Sequence, residues 1–278
     1  MSKYFITFGG GTKDVYGPPV EWAAVAKRLA LEATNTRLFD KSTAYIDEDL
    51  KRDKNFWDNH SEFIEKNEKG YGYWLWKPYL IRKTMQGMKD GGVLVYADTG
   101  CEIGTGRIPT TRPPNCVAAR MPIKKCMEAV GQEKIIASCL GANFLEFYAT
   151  KMDLPIHLGI VDEPYMKEPQ RQATLIMFCV CAKTRGFVND WYSLCCNYHL
   201  LDDSPSISKN HEKFATHRHD QSIFSQLTKK HNLFSDIHLF EGDPRPAEQY
   251  IQITRCRKTS WQDRKFPLSC GKWLQPNN

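Results

Sequence analysis

Nine consecutive residues, Ala173-Thr174-Leu175-Ile176-Met177-Phe178-Cys179-Val180-Cys181, carry no charge and no alternation of polar with apolar side chains. A strand with one wet face alternates, whereas a strand covered on both faces reads as a continuous apolar run. Such cover calls for helices on either side of a sheet, and the rest of the chain provides them. Lys3–Phe8 reads as a first strand stopped by Gly9-Gly10-Gly11, and the alanine- and leucine-rich segment Val20–Thr34 has helical spacing.

The alternation continues along the chain. Arg37–Asp40 reads as a short second strand, and Phe56–Lys66 as a helix broken by Gly70-Tyr71-Gly72. Pro78 suits the first turn of a helix over Trp76–Met88, Gly91-Gly92 ends it, and the strand Val93–Tyr96 follows. Pro122–Val130 and Phe187–Leu200 read as helices, Leu201–Lys213 as a polar loop, and a further helix begins at Asp220. Arg107–Asn115, with three prolines, reads as a surface loop, and the stretch from 243 to 278 as a tail that wraps the surface. No repeat or low-complexity linker divides the chain. The prediction is one α/β domain over residues 1–278, with a mostly parallel, Rossmann-like central sheet.

Composition narrows the function. Hydrophobic content of 41% and charged content of 25% are those of an ordinary globular protein. No apolar run approaches the ~20 residues that cross a bilayer, and Met1-Ser2-Lys3 opens onto a strand with no signal-peptide apolar region. Cys139, Cys179, Cys181, Cys195 and Cys196 sit in apolar stretches and no cysteine pairs have zinc-site spacing, so free thiols in a reducing compartment are expected. The net charge of +6 is compatible with an anionic small ligand such as a nucleotide diphosphate and too diffuse for nucleic acid. The densest basic cluster, Arg255-Cys256-Arg257-Lys258, reads as a solvated face, with a phosphate contact as the alternative.

Three clusters carry residues suited to chemistry. Val93–Gly100 is an apolar strand that ends on the lone carboxylate Asp98, at the strand edge where ligands bind in open α/β sheets. A carboxylate there holds a divalent cation, accepts a sugar or ribose hydroxyl, or caps the next turn. Gly72-Tyr73-Trp74-Leu75-Trp76-Lys77-Pro78-Tyr79 gathers four aromatics and a lysine at a helix start; it reads as a core corner or as a ligand pocket in which Lys77 neutralises a diphosphate. In His217-Arg218-His219-Asp220-Gln221-Ser222, Asp220 suits a helix cap, and a histidine would complete a metal site with Asp98. Lys151, Asp153, Gln170, Gln172 and Glu102 are weaker candidates, each explained as readily by a cap or a solvated position.

Taken together, Gly-Tyr-Trp-x-Trp-Lys-Pro, Val-Leu-Val-Tyr-Ala-Asp-Thr-Gly-Cys-Glu and His-Arg-His-Asp-Gln-Ser-Ile-Phe-Ser, in that order over about residues 70–230, resemble a family of small glycosyltransferases of viruses and bacteria. Within it the resemblance is nearest to chlorovirus enzymes that build the viral N-glycan in the host cytoplasm, xylosyltransferases among them. It implies a GT-A-like fold, a UDP-sugar donor and a glycan acceptor. It further implies a nucleoside pocket at Phe8 and Gly9–Gly11, donor contacts from Trp76, Lys77, Asp98, Gly100, Gln172 and His219, and Asp220 as the base of an inverting reaction. Asp98 takes the first position of the family's Asp-x-Asp motif, but Gly100 stands where the second Asp is expected. The Mn²⁺ or Mg²⁺ such enzymes use is then held by Asp98 alone or with Glu102 or a histidine. Two other readings stand beside this one: a sugar-nucleotide- or carbohydrate-binding protein without turnover, and a metal-dependent hydrolase built on His217–Asp220.

Overall fold

Strands and helices alternate as expected, but they build two sheets. The computed structural model describes all residues except 15–16, 107–118, 142–143, 162, 243–246 and 260–278, and only the backbone of Glu163. In chain order the elements are β1 (Lys3–Gly9), α1 (Trp22–Asn35), β2 (Lys41–Ile46), α2 (Asp47–Arg52), α3 (Lys54–Lys66), α4 (Gly70–Tyr73), α5 (Trp76–Gln86), β3 (Val93–Ala97) and β4 (Cys101–Thr105). Then follow β5 (Arg120–Pro122), α6 (Ile123–Glu133), β6 (Ile135–Cys139), α7 (Glu146–Ala149), α8 (Asp153–Leu158), α9 (Glu163–Met166) and β7 (Arg171–Cys179). The order closes with α10 (Ala182–Cys196), α11 (Tyr198–Leu201), α12 (His219–His231), β8 (Ser235–Asp236) and β9 (Gln249–Ile253).

The central sheet has the order β2-β1-β3-β7-β6-β8. It is mostly parallel: β1 runs with β2 and β3, β6 runs with β8, and β7 alone runs against its neighbours. The reversal matters for the site. It brings the beginning of β7, with Gln170, Gln172 and Ala173, to the edge where the parallel strands end. The second sheet, β4-β9-β5, is antiparallel.

Two sequence expectations need correction here. The second strand is not Arg37–Asp40 but Lys41–Ile46; Arg37 has a left-handed backbone (φ 58°) and belongs to the turn after α1. Nor is the whole stretch after 243 a surface tail. Gln249–Ile253 is the middle strand of the second sheet, with Tyr250 and Ile251 fully buried, because three apolar residues in five suffice once β4 and β5 flank them. The expected loop 107–115 and the rest of the tail, at 243–246 and 260–278, lie outside the described residues. Cys139, Cys179, Cys181, Cys195 and Cys196 are free thiols, and among the described residues no helix is long and apolar enough to cross a membrane.

The period-two alternation of a strand sorts the core into two layers. From β1 and β3, Ile6, Phe8, Leu94 and Tyr96 join Leu80, Trp191 and Phe224 on one face. Phe5, Val93, Val95 and Ala97 join Leu29, Met121, Ile251 and Ile253 on the other. Asp98 continues the even-numbered series, so it emerges on the face covered by α5 and α12.

From the opposite face α1 fixes the turn that carries Asp98. The buried Arg28 guanidinium donates to the Thr99 carbonyl at 2.7 Å and the Cys101 carbonyl at 2.9 Å, and pairs with Glu32 at 2.8 Å. Glu32 in turn accepts the Ile103 N–H at 2.9 Å. Gly9 permits this arrangement, since a Cβ there would overlap the Trp22 carbonyl at the start of α1. Gly9→Ala is therefore expected to lower the free energy of unfolding in urea by about 1–3 kcal/mol, the usual cost of overpacking; an unchanged midpoint would contradict the close approach.

Candidate active site

The aromatic-lysine segment begins with an uncommon backbone. Gly70, Tyr71, Gly72, Tyr73 and Trp74 all have positive φ (61°, 53°, 80°, 52° and 62°), so α4 is one left-handed turn. For a non-glycine residue this costs roughly 1–2 kcal/mol, and packing must hold it in place. Trp74 stacks on His219 at 5.5 Å, Tyr73 meets the same ring at 4.7 Å, and Tyr71 lies 5.9 Å from Phe8. The Trp76 indole N–H closes the turn on the Gly70 carbonyl at 3.0 Å, and its ring lies 4.0 Å from Phe8. His219 is itself left-handed (φ 54°). The strained residues from two distant segments thus meet beside the end of β1.

The turn delivers Lys77 into a buried electrostatic cluster. Its ammonium lies 2.8 Å from Asp220 Oδ2 and 3.3 Å from Asp98 Oδ1, and it donates to the Ala173 carbonyl at 3.1 Å. The Tyr96 hydroxyl donates to Asp98 Oδ1 at 2.5 Å, and the Trp191 indole N–H holds the Asp220 carbonyl oxygen at 3.0 Å. Burial opposes the charge on Lys77, but Asp220 and Asp98 outweigh it and raise its pKa. Burial pushes the Asp220 carboxyl up to about 6 against the pull of Lys77, with the charge of Asp98 adding to the rise. Tyr96 is held well above its ordinary range, first by burial and then by Asp98. The Asp98 side chain is 31% exposed, against 3% for Lys77 and 4% for Asp220. Asp98 therefore faces solvent, whereas Lys77 and Asp220 lie behind it.

The other expected donor residues occupy the same edge in different ways. Gly10 lies under the Phe8 ring, where a Cβ would approach Cζ to 2.6 Å. Gln172 accepts the Ser138 hydroxyl on β6 and stands one residue from the Ala173 carbonyl. Gly100 accepts the Cys256 N–H at 2.9 Å and the Thr254 hydroxyl at 3.1 Å. Tyr96, Tyr73 and Trp74 are site residues to which sequence reasoning gave no individual role. Tyr96 was legible in principle, being two positions before Asp98 on the same strand face.

Both histidines are bonded to neighbouring backbone. His217 Nδ1 accepts the Lys151 N–H at 3.2 Å and Nε2 meets the Leu200 carbonyl at 2.9 Å. His219 Nδ1 meets the Leu201 carbonyl at 2.8 Å, and Nε2 lies 3.6 Å from Asp203. Neither ring offers a nitrogen to Asp98, which removes the basis for a histidine-aspartate metal centre. Gln170, Gln221 and Ser222 bond to one another and to α7, fastening α12 to β7. Lys151 and Asp153 are neither caps nor solvated. Lys151 holds the 202–204 backbone, and Asp153 accepts the N–H groups of Ile207 and Ser208 and lies 2.8 Å from His199.

A divalent cation does not fit this donor set as a protein-built site. Among the described residues no three His, Cys, Asp or Glu side chains converge to hold one. One oxygen of Asp98 already has the Tyr96 hydroxyl and the Lys77 ammonium, a resident positive charge, against it.

No protein-family model and no curated protein matches the chain. Among solved structures, mouse xyloside xylosyltransferase 1 in its apo form is similar at 10% identity and a TM-score of 0.41 over 85% of each chain. The apo structure of the bifunctional glycosyltransferase WbbM is similar at 11% identity and a TM-score of 0.40, over 84% of this chain and 38% of its own. At these levels the likenesses carry no conclusion about activity, which has to come from the residues.

The buried titratable groups predict a pH dependence of stability. Burial lowers the pKa of His219 to about 4 and that of His217 well below 6.5. Below pH 6.5 the unfolded chain takes up protons that these folded rings refuse, so stability falls on acidification. Asp220 opposes this, since its folded pKa of about 6 lies above the unfolded value of 3.8 and the folded state gains protons first. In Asp220→Asn the loss of stability between pH 6.5 and 4.5, followed by urea unfolding, is expected to be steeper by about 2 kcal/mol. Parallel slopes would show that Asp220 titrates normally.

Proposed function

We propose that the protein is a glycosyltransferase that moves a sugar, xylose in the first instance, from a UDP-sugar to a hydroxyl of a glycan acceptor with inversion. The observation that carries this reading is the cluster of solvent-facing Asp98 with buried Lys77 and Asp220 at the carboxyl edge of the sheet, beside Phe8 and Trp76. The motif resemblance to viral and bacterial glycosyltransferases rests on these same residues. The free thiols fit a reducing compartment such as the cytoplasm.

In this reading Phe8 and the backbone of Gly9–Gly11 take the nucleoside, and the solvent-facing Asp98 accepts a donor hydroxyl. Lys77 is the charge that follows the diphosphate as the bond from the anomeric carbon to phosphate oxygen breaks. When its ammonium moves to the leaving group, Asp220 loses its counter-ion and opens to the acceptor. The acceptor oxygen then bonds to the anomeric carbon, and its proton passes to the Asp220 carboxylate. With Lys77 in place the carboxyl titrates near 6 and is ionised at neutral pH, and departure of the lysine makes that carboxylate more basic just as the proton arrives. The buried state of Asp220 favours one competing reading, a sugar-nucleotide-binding protein without turnover.

Kinetics and titration calorimetry separate the roles. Asp220→Asn is expected to bind UDP within about threefold of wild type and to lose about 100-fold or more in transfer, the range for a missing general base. Asp98→Ala is expected to weaken UDP-sugar binding. The wild-type rate should fall as pH drops through about 6. Near-normal turnover in Asp220→Asn would reject the base, and a wild-type protein that binds UDP-sugars but never releases UDP from them would favour the binder.

A further inference from the structure

The carbonyl of Gly100, at the position of the missing second carboxylate, is covered by a distant part of the chain. A Cβ on Gly100 would lie 3.3 Å from Arg255 Cα, 3.7 Å from its carbonyl carbon and 3.9 Å from its nitrogen. The first of these contacts is tighter than a Cβ ordinarily makes, so a side chain here would press on the covering backbone by a few tenths of an ångström. That segment is bonded down, because the Gly100 carbonyl accepts both the Cys256 N–H and the Thr254 hydroxyl. Arg255 adopts φ 60° to make the crossing, a backbone state that only firm neighbours maintain.

The same segment reaches the loop after β1. The Arg257 guanidinium pairs with both oxygens of Asp14, whose side chain is buried. Residues 254–258 therefore form a strap from the Asp98–Gly100 turn to the glycine loop, spanning the ends of β3 and β1. It carries Arg255, Arg257 and Lys258, with Arg255 and Lys258 exposed. Counted at neutral pH, Asp98, Lys77 and Asp220 sum to one negative charge, which does not attract a diphosphate. The counter-charge has to come from elsewhere, and the strap carries exposed basic residues on the backbone that crosses the Asp98–Gly100 turn.

We propose that the strap Thr254–Lys258 replaces the second carboxylate and its divalent cation, so that Arg255 and Lys258 hold the donor diphosphate and binding is independent of metal. This rests on the UDP-sugar reading above. Guanidinium and ammonium groups both bind phosphate oxygens, the former through paired hydrogen bonds.

The experiment is calorimetric titration of the full chain with UDP, in EDTA and in Mn²⁺. The expected result is a Kd in EDTA within about threefold of that in Mn²⁺. Arg255→Ala/Lys258→Ala should weaken UDP at least tenfold while leaving uridine binding unchanged and the melting temperature close to wild type. Binding only in the presence of Mn²⁺ would overturn the strap and leave the transferase reading standing. The same holds if the double variant binds UDP as wild type does. Absence of UDP binding in both conditions would overturn the UDP-sugar reading itself, and the strap with it.

Discussion

Lys77 stands between Asp98 and Asp220 with almost no water to share its charge, and three separate parts of the fold have to be in place for that to be tolerable. The end of β3 must present Asp98, the first turn of α12 must present Asp220, and the start of β7 must turn the Ala173 carbonyl toward the ammonium. An ammonium buried without these partners costs several kcal/mol. The cluster therefore constrains the register of β3 and β7 and the seating of α12 as firmly as the surrounding apolar side chains do. It also leaves unequal access. Asp98 faces outward, whereas Asp220 is held in reserve behind the lysine.

Strain accumulates next to this cluster. Tyr71, Tyr73, Trp74 and His219 all hold left-handed backbones; the rings of Tyr73 and Trp74 pack on His219, and that of Tyr71 packs on Phe8 at the end of β1. These ring contacts hold the uncommon backbone in place. The arrangement suits a pocket whose walls must not relax when a ligand is absent. On the far side of the sheet the Arg28–Glu32 pair does comparable work with charge, fixing the Asp98 turn from below through backbone carbonyls.

Much of the site was legible in the sequence because its residues sit at element boundaries. Asp98 ends an unmistakable strand, Lys77 follows a dense aromatic run and Asp220 opens a helix. What the sequence did not disclose was their mutual distance, since an ion pair between residues 77 and 220 leaves no local periodicity. The surroundings of the histidines were hidden for a related reason. Three of their four ring nitrogens meet backbone groups of residues 151, 200 and 201 and the fourth lies near Asp203, contacts that no spacing rule reveals. The second sheet escaped notice because β4 and β5 are short and β9 lies in a stretch rich in Pro and Arg. The cover over Gly100 was hidden in the same way, by a contact across more than 150 positions.

The place of β9 in its sheet has a consequence for how the molecule comes into being. β9 is the middle strand, so β4 and β5 have no partner in that sheet until residues beyond 248 have been synthesised. During translation the central sheet can form first, with the Asp98 turn already tethered to α1, while its outer layer waits. The residues that insert between β4 and β5 lead directly into the segment that covers Gly100. Completion of the second sheet and of the cover over Gly100 are thus one late event, and a chain released early would carry all three charged residues of the cluster without that cover over the Asp98 turn.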